Sequence, residues 1–244
     1  MYKQENIKPY TPDGDKSTQV AAMFDHIAPT YDTLNHRMSF NIDRWWRKRA
    51  VKHLRAFRPR IILDVASGTG DFALMMGERL NPQHILATDI SEQMMKVGKQ
   101  KVKDKGMADI ITFQYDNCMQ LSLADNTFDA VTATFGIRNF PDLEKGLREM
   151  CRVMKKGGQL CILELSTPKN RMMRALFKLY SHTILPLYGR FVARDKSAYT
   201  YLTKTIEGFP QAETMMRILQ KAGFSKPAFK RLTFGICTLY TASK

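Results

Sequence analysis

The chain has 244 residues, 44% of them hydrophobic and 25% charged, ordinary values for a soluble globular protein of one large domain or one domain with an inserted lid. Its net charge of +15 is not ordinary and points to an anionic partner: nucleic acid, a membrane surface or an acidic substrate. Four cysteines without a C-x-x-C pair and five scattered histidines offer neither a disulfide framework nor a metal motif, so reduced, cytosolic thiols and no metal are expected.

Residues 1–20 are polar, carry no apolar signal region and read as a loose arm. "VAAMFDHIAPTYDTLNHRMSF" follows as an apolar-patterned helix and turn. In "DRWWRKRAVKHLRAF" Trp46, Ala50, Leu54 and Phe57 share one helical face and cations take the rest. Between His36 and Arg60 nine cations stand against one acid, Asp43. Residues 1–60 are therefore predicted as an arm and helical cover, and 61–244 as the core.

From Ile61 strands and helices alternate. "IILDVA", "HILATDI", "DIITFQYD", "FDAVTATF" and "QLCILELS" are apolar strand runs. The helices between them are "FALMMGERL", the run from its N-cap Ser91 to Gly106, and 142–158, closed by glycine. The pattern predicts an α/β fold, a mostly parallel sheet with helices on both faces. After Ser166 the alternation stops, and 169–208 is predicted as an inserted helical lid. Within it, "MMRALFKLYSHTILPLYGRF" is long enough to span a bilayer. Arg174 and Lys178 would each cost about 2.5–3.5 kcal/mol at mid-membrane, and Pro186 and Gly189 interrupt the run, so it suits an interface and not a crossing. "QAETMMRILQKAGF" returns as a helix, and "KPAFKRLTF" and "GICTLYTAS" are strands. From Thr167 onward fourteen cations face three acids.

In such a sheet a ligand binds beyond the carboxyl ends of the strands. The first turn, "DVASGTGD", bares its backbone at Gly68 and Gly70. It lacks the third glycine of a dinucleotide fingerprint, and Asp71 would repel a pyrophosphate but suit an ammonium group. S-adenosylmethionine, with its zwitterionic end and cationic sulfonium, is thus expected over NAD. Asp89 ends the second strand and can accept both ribose hydroxyls or cap the next helix. Asn117 and the Cys118 backbone, after the third strand, can meet the adenine, and Thr134, ending the fourth, either lines the cofactor's floor or fills the strand.

The fourth strand runs into "TFGIRNF", where Arg138 and Asn139 stand at the mouth of the sheet. Amino-directed nucleic-acid methylation wants [DN]-P-P-[YF] there, and no Pro-Pro is present, so no nucleic-acid partner is expected. A non-catalytic regulator would leave the apolar 172–191 segment unexplained.

"FDHIAPTYDTLNHRMSF", "LDVASGTGD", "ATDISEQMM", "LADNTFD", "FGIRNFPD", "REMCRVMKKGG", "ILELSTP" and "GICTLYTASK" together resemble the bacterial ubiquinone/menaquinone-biosynthesis C-methyltransferase family, from about Val20 to Lys244. The chain departs from it at Ser67, where the family usually has glycine, and in "LSLADNTFD", which lacks the usual proline. The resemblance implies a class I, Rossmann-like methyltransferase fold and C-methylation of a polyprenyl hydroquinone, demethylmenaquinol to menaquinol, with a methoxylated benzoquinol as the alternative. By matching motifs it sets Thr69, Asp89, Asn117, Cys118 and Thr134 at the cofactor.

Ring methylation is easiest on a phenolate, and with tyrosine as stand-in, ionising one near pH 7 costs roughly 4 kcal/mol. Arg138 beside the oxygen would recover much of that, or else it pairs structurally with Asp142 or Glu164. Gly136 would let the ring approach, and Asn139 would orient a hydroxyl or water, or start the helix at Pro141. For the base, His26 has a suitable pKa but can equally be packed or solvated, while Tyr31 reads as an aromatic wall or hydrogen-bond donor. A polyprenyl substrate lives in the bilayer, so peripheral contact with an anionic membrane is expected. It would use Met172, Leu176, Phe177, Leu179, Tyr180, Leu185 and Tyr188, the cations Arg171, Arg174, Lys178, Arg190, Arg194 and Lys196, and an aromatic foothold at Trp45 and Trp46.

Overall fold

Each apolar run of the core becomes a strand. Ile61–Val65 (β1), His84–Asp89 (β2), Ile111–Tyr115 (β3), Phe128–Thr134 (β4), Met154–Leu165 (β5), Ser225–Leu232 (β6) and Cys237–Ser243 (β7) form one sheet in the order β3-β2-β1-β4-β5-β7-β6. The computed structural model describes residues 1–184 and 196–244. Strands β3, β2, β1, β4 and β5 pair in parallel, while β7 is antiparallel to both β5 and β6. Buried faces on both sides explain the continuous apolar runs: Ile62, Leu63, Val131, Leu160 and Ile162 are fully enclosed.

The core helices are Asp71–Leu80 (α4), Glu92–Asp104 (α5), Leu143–Val153 (α6) and Glu213–Lys221 (α9). Ser91 caps α5, its hydroxyl accepting from Met94 N at 3.2 Å, and Asp142 caps α6 by accepting from Lys145 N at 2.8 Å. The expected glycine-closed tail of α6 is corrected. The helix stops at Val153, and Lys155, Lys156 and Gly157 enter β5 through a register shift opposite Phe128 and Ala130. Gly157, at φ +78°, bends that strand and does not end a helix.

Lys16–Ile27 (α1), Tyr31–Met38 (α2) and Ile42–Arg55 (α3) form the cover. Trp46, Ala50, Val51 and Leu54 bury one face of α3, whereas Phe57, beyond the helix end, is 48% exposed. The arm before α1 is not loose. Gln4 and Glu5 are buried, and the Glu5 carboxylate accepts from Leu143 N at 2.9 Å and Tyr2 N at 2.6 Å. Glu5 thereby satisfies a helix-start N–H distant in sequence, which no local pattern reveals.

The lid comprises Arg171–Leu179 (α7), a π-helical turn over Tyr180–Ile184 and Lys196–Gly208 (α8). No residue of α7 is buried, and its Met172 and Leu179 are more than half exposed. Leu185, Pro186, Tyr188, Gly189, Arg190 and Arg194 lie outside the described residues. No described helix is long and apolar enough to cross a membrane.

Candidate active site

Strand order reverses between β1 and β4, so the turns leaving these two strands open a crevice at their carboxyl ends. The β1 turn runs through positive φ at Ala66 (52°), Gly68 (57°) and Gly70 (75°). A Cβ on Gly68 would touch nothing within 4 Å, which leaves the backbone open to a ligand. A Cβ on Gly70 would stand 2.7 Å from the Phe113 ring, and one on Gly98 of α5 2.5 Å from it. Phe113 therefore wedges the turn in place, and Gly98 is as necessary to it as the motif glycines.

Asp89 anchors the same turn. Its Oδ2 accepts from Gly68 N at 2.7 Å and its Oδ1 from Ser91 N at 2.9 Å, so Ser91 caps α5 while Asp89 holds the turn. Burial pushes the Asp89 carboxyl up, against these backbone hydrogen bonds. Gly68, Thr69, Asp89, Asn117, Cys118 and Thr134 all line one small cavity of about 70 Å³. Asn117 Oδ1 accepts from Met119 N at 2.9 Å, and the Thr69 hydroxyl donates to Asp32 at 2.5 Å. Asn139 reaches this cavity too, its Oδ1 buried without a partner, as is Ser67 Oγ.

Beside it lies an apolar cavity of about 370 Å³, lined by α1–α3, the lid helices and the end of β5. Phe24, Tyr31, Arg47 and Phe135 line both cavities and form their shared wall. Arg138 lines only the apolar one. Its Nη1 pairs with Glu164 Oε1 at 2.9 Å and also donates to the Phe135 carbonyl, but its Nε has no partner. The structural alternative for Arg138 thus holds for Glu164 and fails for Asp142, which is spent on the α6 cap. Burial pushes the Tyr31 phenol up, opposed by Arg138 and Arg47.

Four expectations are corrected. His26 is exposed on α1 and lines neither cavity, because the helix turns its Met23 and Ile27 face inward. Gly136 does not make room for a ring: a Cβ there would stand 2.6 Å from Ala66 Cβ, so its bareness lets the two turns touch. Asp71 does not await an ammonium group, since Lys101 and the His36 Nε2, at 3.2 Å, already meet it. Trp46 offers no membrane foothold either; it is buried, donating to Thr233 Oγ1 at 2.8 Å, while Trp45 is 41% exposed.

Arg47 was legible only as one cation among nine. It is buried on α3, pairs with Asp43 one turn earlier, sits 5.3 Å from the centroid of Phe135 and leaves its Nε unpartnered. The signal was an arginine on the apolar face between Trp46 and Ala50. His36 extends the network, with Nδ1 2.9 Å from Asp43, so α2 and α3 are tied to the start of α4. His36, Asp43 and Asp71 offer donor atoms within 4.8 Å of one another, but Arg47 and Lys101 already hold these carboxylates.

The hydrogen bond from His36 to Asp71 is the main cause of a raised His36 pKa; Asp43 adds to it and burial opposes it. Burial pushes the Asp71 carboxyl up, but His36, Arg47 and Lys101 overrule it and hold it well below the usual range. A raised histidine stabilises fully below its unfolded pKa of about 6.5, and that contribution is lost as pH rises through the folded value. The unfolding temperature of the ligand-free protein should therefore fall as pH rises from about 6.5 in the wild type, and less so in His36→Gln. Equal slopes in thermal scans would exclude His36 as the titrating tie.

Residues 13–244 match the ubiE/COQ5 methyltransferase family. A Bacteroides fragilis protein named demethylmenaquinone methyltransferase is 55% identical over 243 residues, covering 100% of this chain and 99% of that protein. A Geobacter sulfurreducens protein named ubiquinone/menaquinone biosynthesis C-methyltransferase UbiE is 40% identical over 231 residues, 94% of this chain and 90% of that protein. Among solved structures, a putative S-adenosyl-L-methionine-dependent methyltransferase from Methanococcus maripaludis shares the fold with a TM-score of 0.60 at 17% identity, covering 95% of both chains.

Proposed function

The chain belongs to the ubiE/COQ5 methyltransferase family, and on that premise we propose that it methylates a ring carbon of demethylmenaquinol, a polyprenyl hydroquinone. It is an S-adenosylmethionine-dependent methyltransferase of quinone biosynthesis with a Rossmann-like class I fold. The observation that carries the substrate reading is the pair of adjoining cavities, one small with polar groups at the glycine turn and one large and apolar. The name of the Bacteroides fragilis relative favours the naphthoquinol over the methoxylated benzoquinol.

The residues of the small cavity suit the cofactor. The open backbone at Gly68 and the orphaned Ser67 Oγ and Asn139 Oδ1 supply unspent polar groups around a space that no chain atom fills. In this reading Asp89 accepts the ribose hydroxyls, Asn117 and the Cys118 backbone meet the adenine, and Thr69 and Thr134 line the remaining walls. The bound cofactor supplies an electrophilic methyl group on a sulfonium. Arg138 donates through its free Nε to a ring oxygen and holds it as phenolate, which raises electron density on the neighbouring carbon. Tyr31 and Phe135 in the shared wall hold the ring flat against the opening between the cavities. The new carbon–carbon bond would replace the methyl–sulfur bond, the sulfur keeping that electron pair and leaving as a neutral thioether, and the ring would give up one proton, so atoms and charge balance.

Methyl-labelled cofactor, demethylmenaquinol in vesicles and a reductant test this directly. Label should appear in menaquinol, and the oxidised quinone should not react, because it has no hydroxyl to ionise. Label confined to a benzoquinol, or to no quinol, would overturn the reading.

We also read the enzyme as cytoplasmic and peripherally docked on anionic membrane. Phe40, Ile42 and Leu176 both line the apolar cavity and are exposed, so they mark its mouth, and Phe234 beside Thr233 is 76% exposed. Arg44 and Lys48 on α3, Arg171 on α7 and Lys169 just before it are exposed. Near an anionic leaflet each such cation contributes about 1 kcal/mol. Flotation should show binding to phosphatidylglycerol vesicles that salt reverses, and weak binding to phosphatidylcholine. Equal binding to both at low salt would remove the electrostatic part.

A further inference from the structure

Tyr201, on α8, brings a hydroxyl into a largely apolar wall. It is 3% exposed, lines the larger cavity, and its phenolic oxygen is buried with no hydrogen-bond partner. Its neighbours on α8 avoid that state: Thr203 Oγ1 donates to the Tyr199 carbonyl at 3.2 Å and Thr205 Oγ1 to the Tyr201 carbonyl at 2.8 Å. Another buried tyrosine, Tyr240, accepts from Ala212 N at 3.0 Å. An orphaned buried hydroxyl is expensive, and native folds rarely keep one without a use. Phenylalanine would fill the same space without it.

Two arginine Nε groups of this cavity are orphaned as well, that of Arg47 on α3 in the wall shared with the smaller cavity and that of Arg138, from the turn after β4, which lines the apolar cavity alone. Tyr201 and Arg138 line the same cavity; burial, with the Glu164 charge behind it, pushes the phenol up against the charge of Arg138, so Tyr201 stays a neutral donor. A cationic N–H and a neutral O–H, both unspent and both on residues that line a largely apolar pocket, are what a localised oxyanion requires.

We propose that Tyr201 O–H and Arg138 Nε–H together receive one ring oxygen of the hydroquinone, which makes Tyr201 a catalytic residue contributed by the lid. The proposal rests on the hydroquinone reading of the apolar cavity. It also means that the donor pair is complete only with α8 seated over the β4 turn.

Tyr201→Phe removes the hydroxyl and nothing else. Without ligand its unfolding temperature should equal or exceed that of the wild type, because an unsatisfied group is gone, and its affinity for S-adenosylmethionine should be unchanged. Turnover of a short-tailed demethylmenaquinol should fall about tenfold, as for loss of one neutral donor. The acidic limb of the pH–rate profile should move to higher pH, since the substrate then ionises with less help. A more acidic hydroquinone should recover part of the loss. Wild-type turnover and an unmoved profile in the folded variant would overturn the proposal, as would a lowered unfolding temperature with an unmoved profile. If the wild type binds the cofactor but methylates no hydroquinone, the substrate reading fails and this proposal falls with it. If the wild type is active and the variant matches it, only the role of Tyr201 falls.

Discussion

A chain carrying Arg138→Met together with Glu164→Gln should fold, bind S-adenosylmethionine normally and methylate quinol about 10²–10³-fold more slowly, the loss typical of removing one oxyanion donor. The paired substitution is needed because Glu164 is fully buried and its carboxylate is met by Arg138 at 2.9 Å. Removing Arg138 alone strands that charge, which costs about 3–5 kcal/mol and confuses folding with catalysis. Glutamine removes the stranded charge and keeps one acceptor oxygen, enough for the backbone N–H of either Arg138 or Leu165, which now bond to different oxygens of the carboxylate at 3.1 and 2.9 Å. Single-turnover rates on the double variant, with circular dichroism to confirm the fold, separate the two roles. Wild-type turnover would leave Arg138 as a structural ion pair and nothing more.

Asp89→Ala should weaken S-adenosylmethionine by about 10- to 150-fold, the equivalent of roughly 1.5–3 kcal/mol for a lost charged hydrogen-bond acceptor. Part of the effect is indirect, because the same carboxylate bonds Gly68 N and Ser91 N and so shapes the turn. Asp89→Asn separates these contributions: its amide oxygen can still serve one backbone N–H, while the negative charge is gone. Calorimetry should rank wild type above Asn above Ala. Wild-type affinity in the alanine variant would remove Asp89 from the site.

The sheet was legible because burial on both faces leaves a signature in the strands themselves: "IILDV" and "LCILEL" tolerate no solvent-facing position. The cofactor turn was legible for a related reason, since its glycines are forced by backbone geometry that few residues adopt. Arg47 and Glu5 were not. Each is a charged residue whose partner lies on another element or one helical turn away, and sequence shows charge without direction. Gly98 carries no signal in its own helix, because its reason for being small is Phe113 on β3. Gly136 stands out in sequence, but nothing in "FGIRN" reveals that Ala66 would press against it. Both tasks of Arg138 are open in sequence, and Glu164 accounts for one of them without using its Nε.

The strand order has a consequence for biosynthesis. β6 is translated before β7, yet β7 lies between it and β5. When β6 leaves the ribosome it has no neighbour, and β5 still presents an open, apolar edge carrying Leu160, Ile162 and Leu163. Only when 237–243 emerges can both strands pair, Leu163 with Leu239 on one side and Lys230 with Leu239 on the other. A ribosome stalled shortly before that point would hold a chain with a sticky edge. The hairpin thus closes this sheet, and the nascent chain that lacks it exposes an edge a chaperone would have to shield.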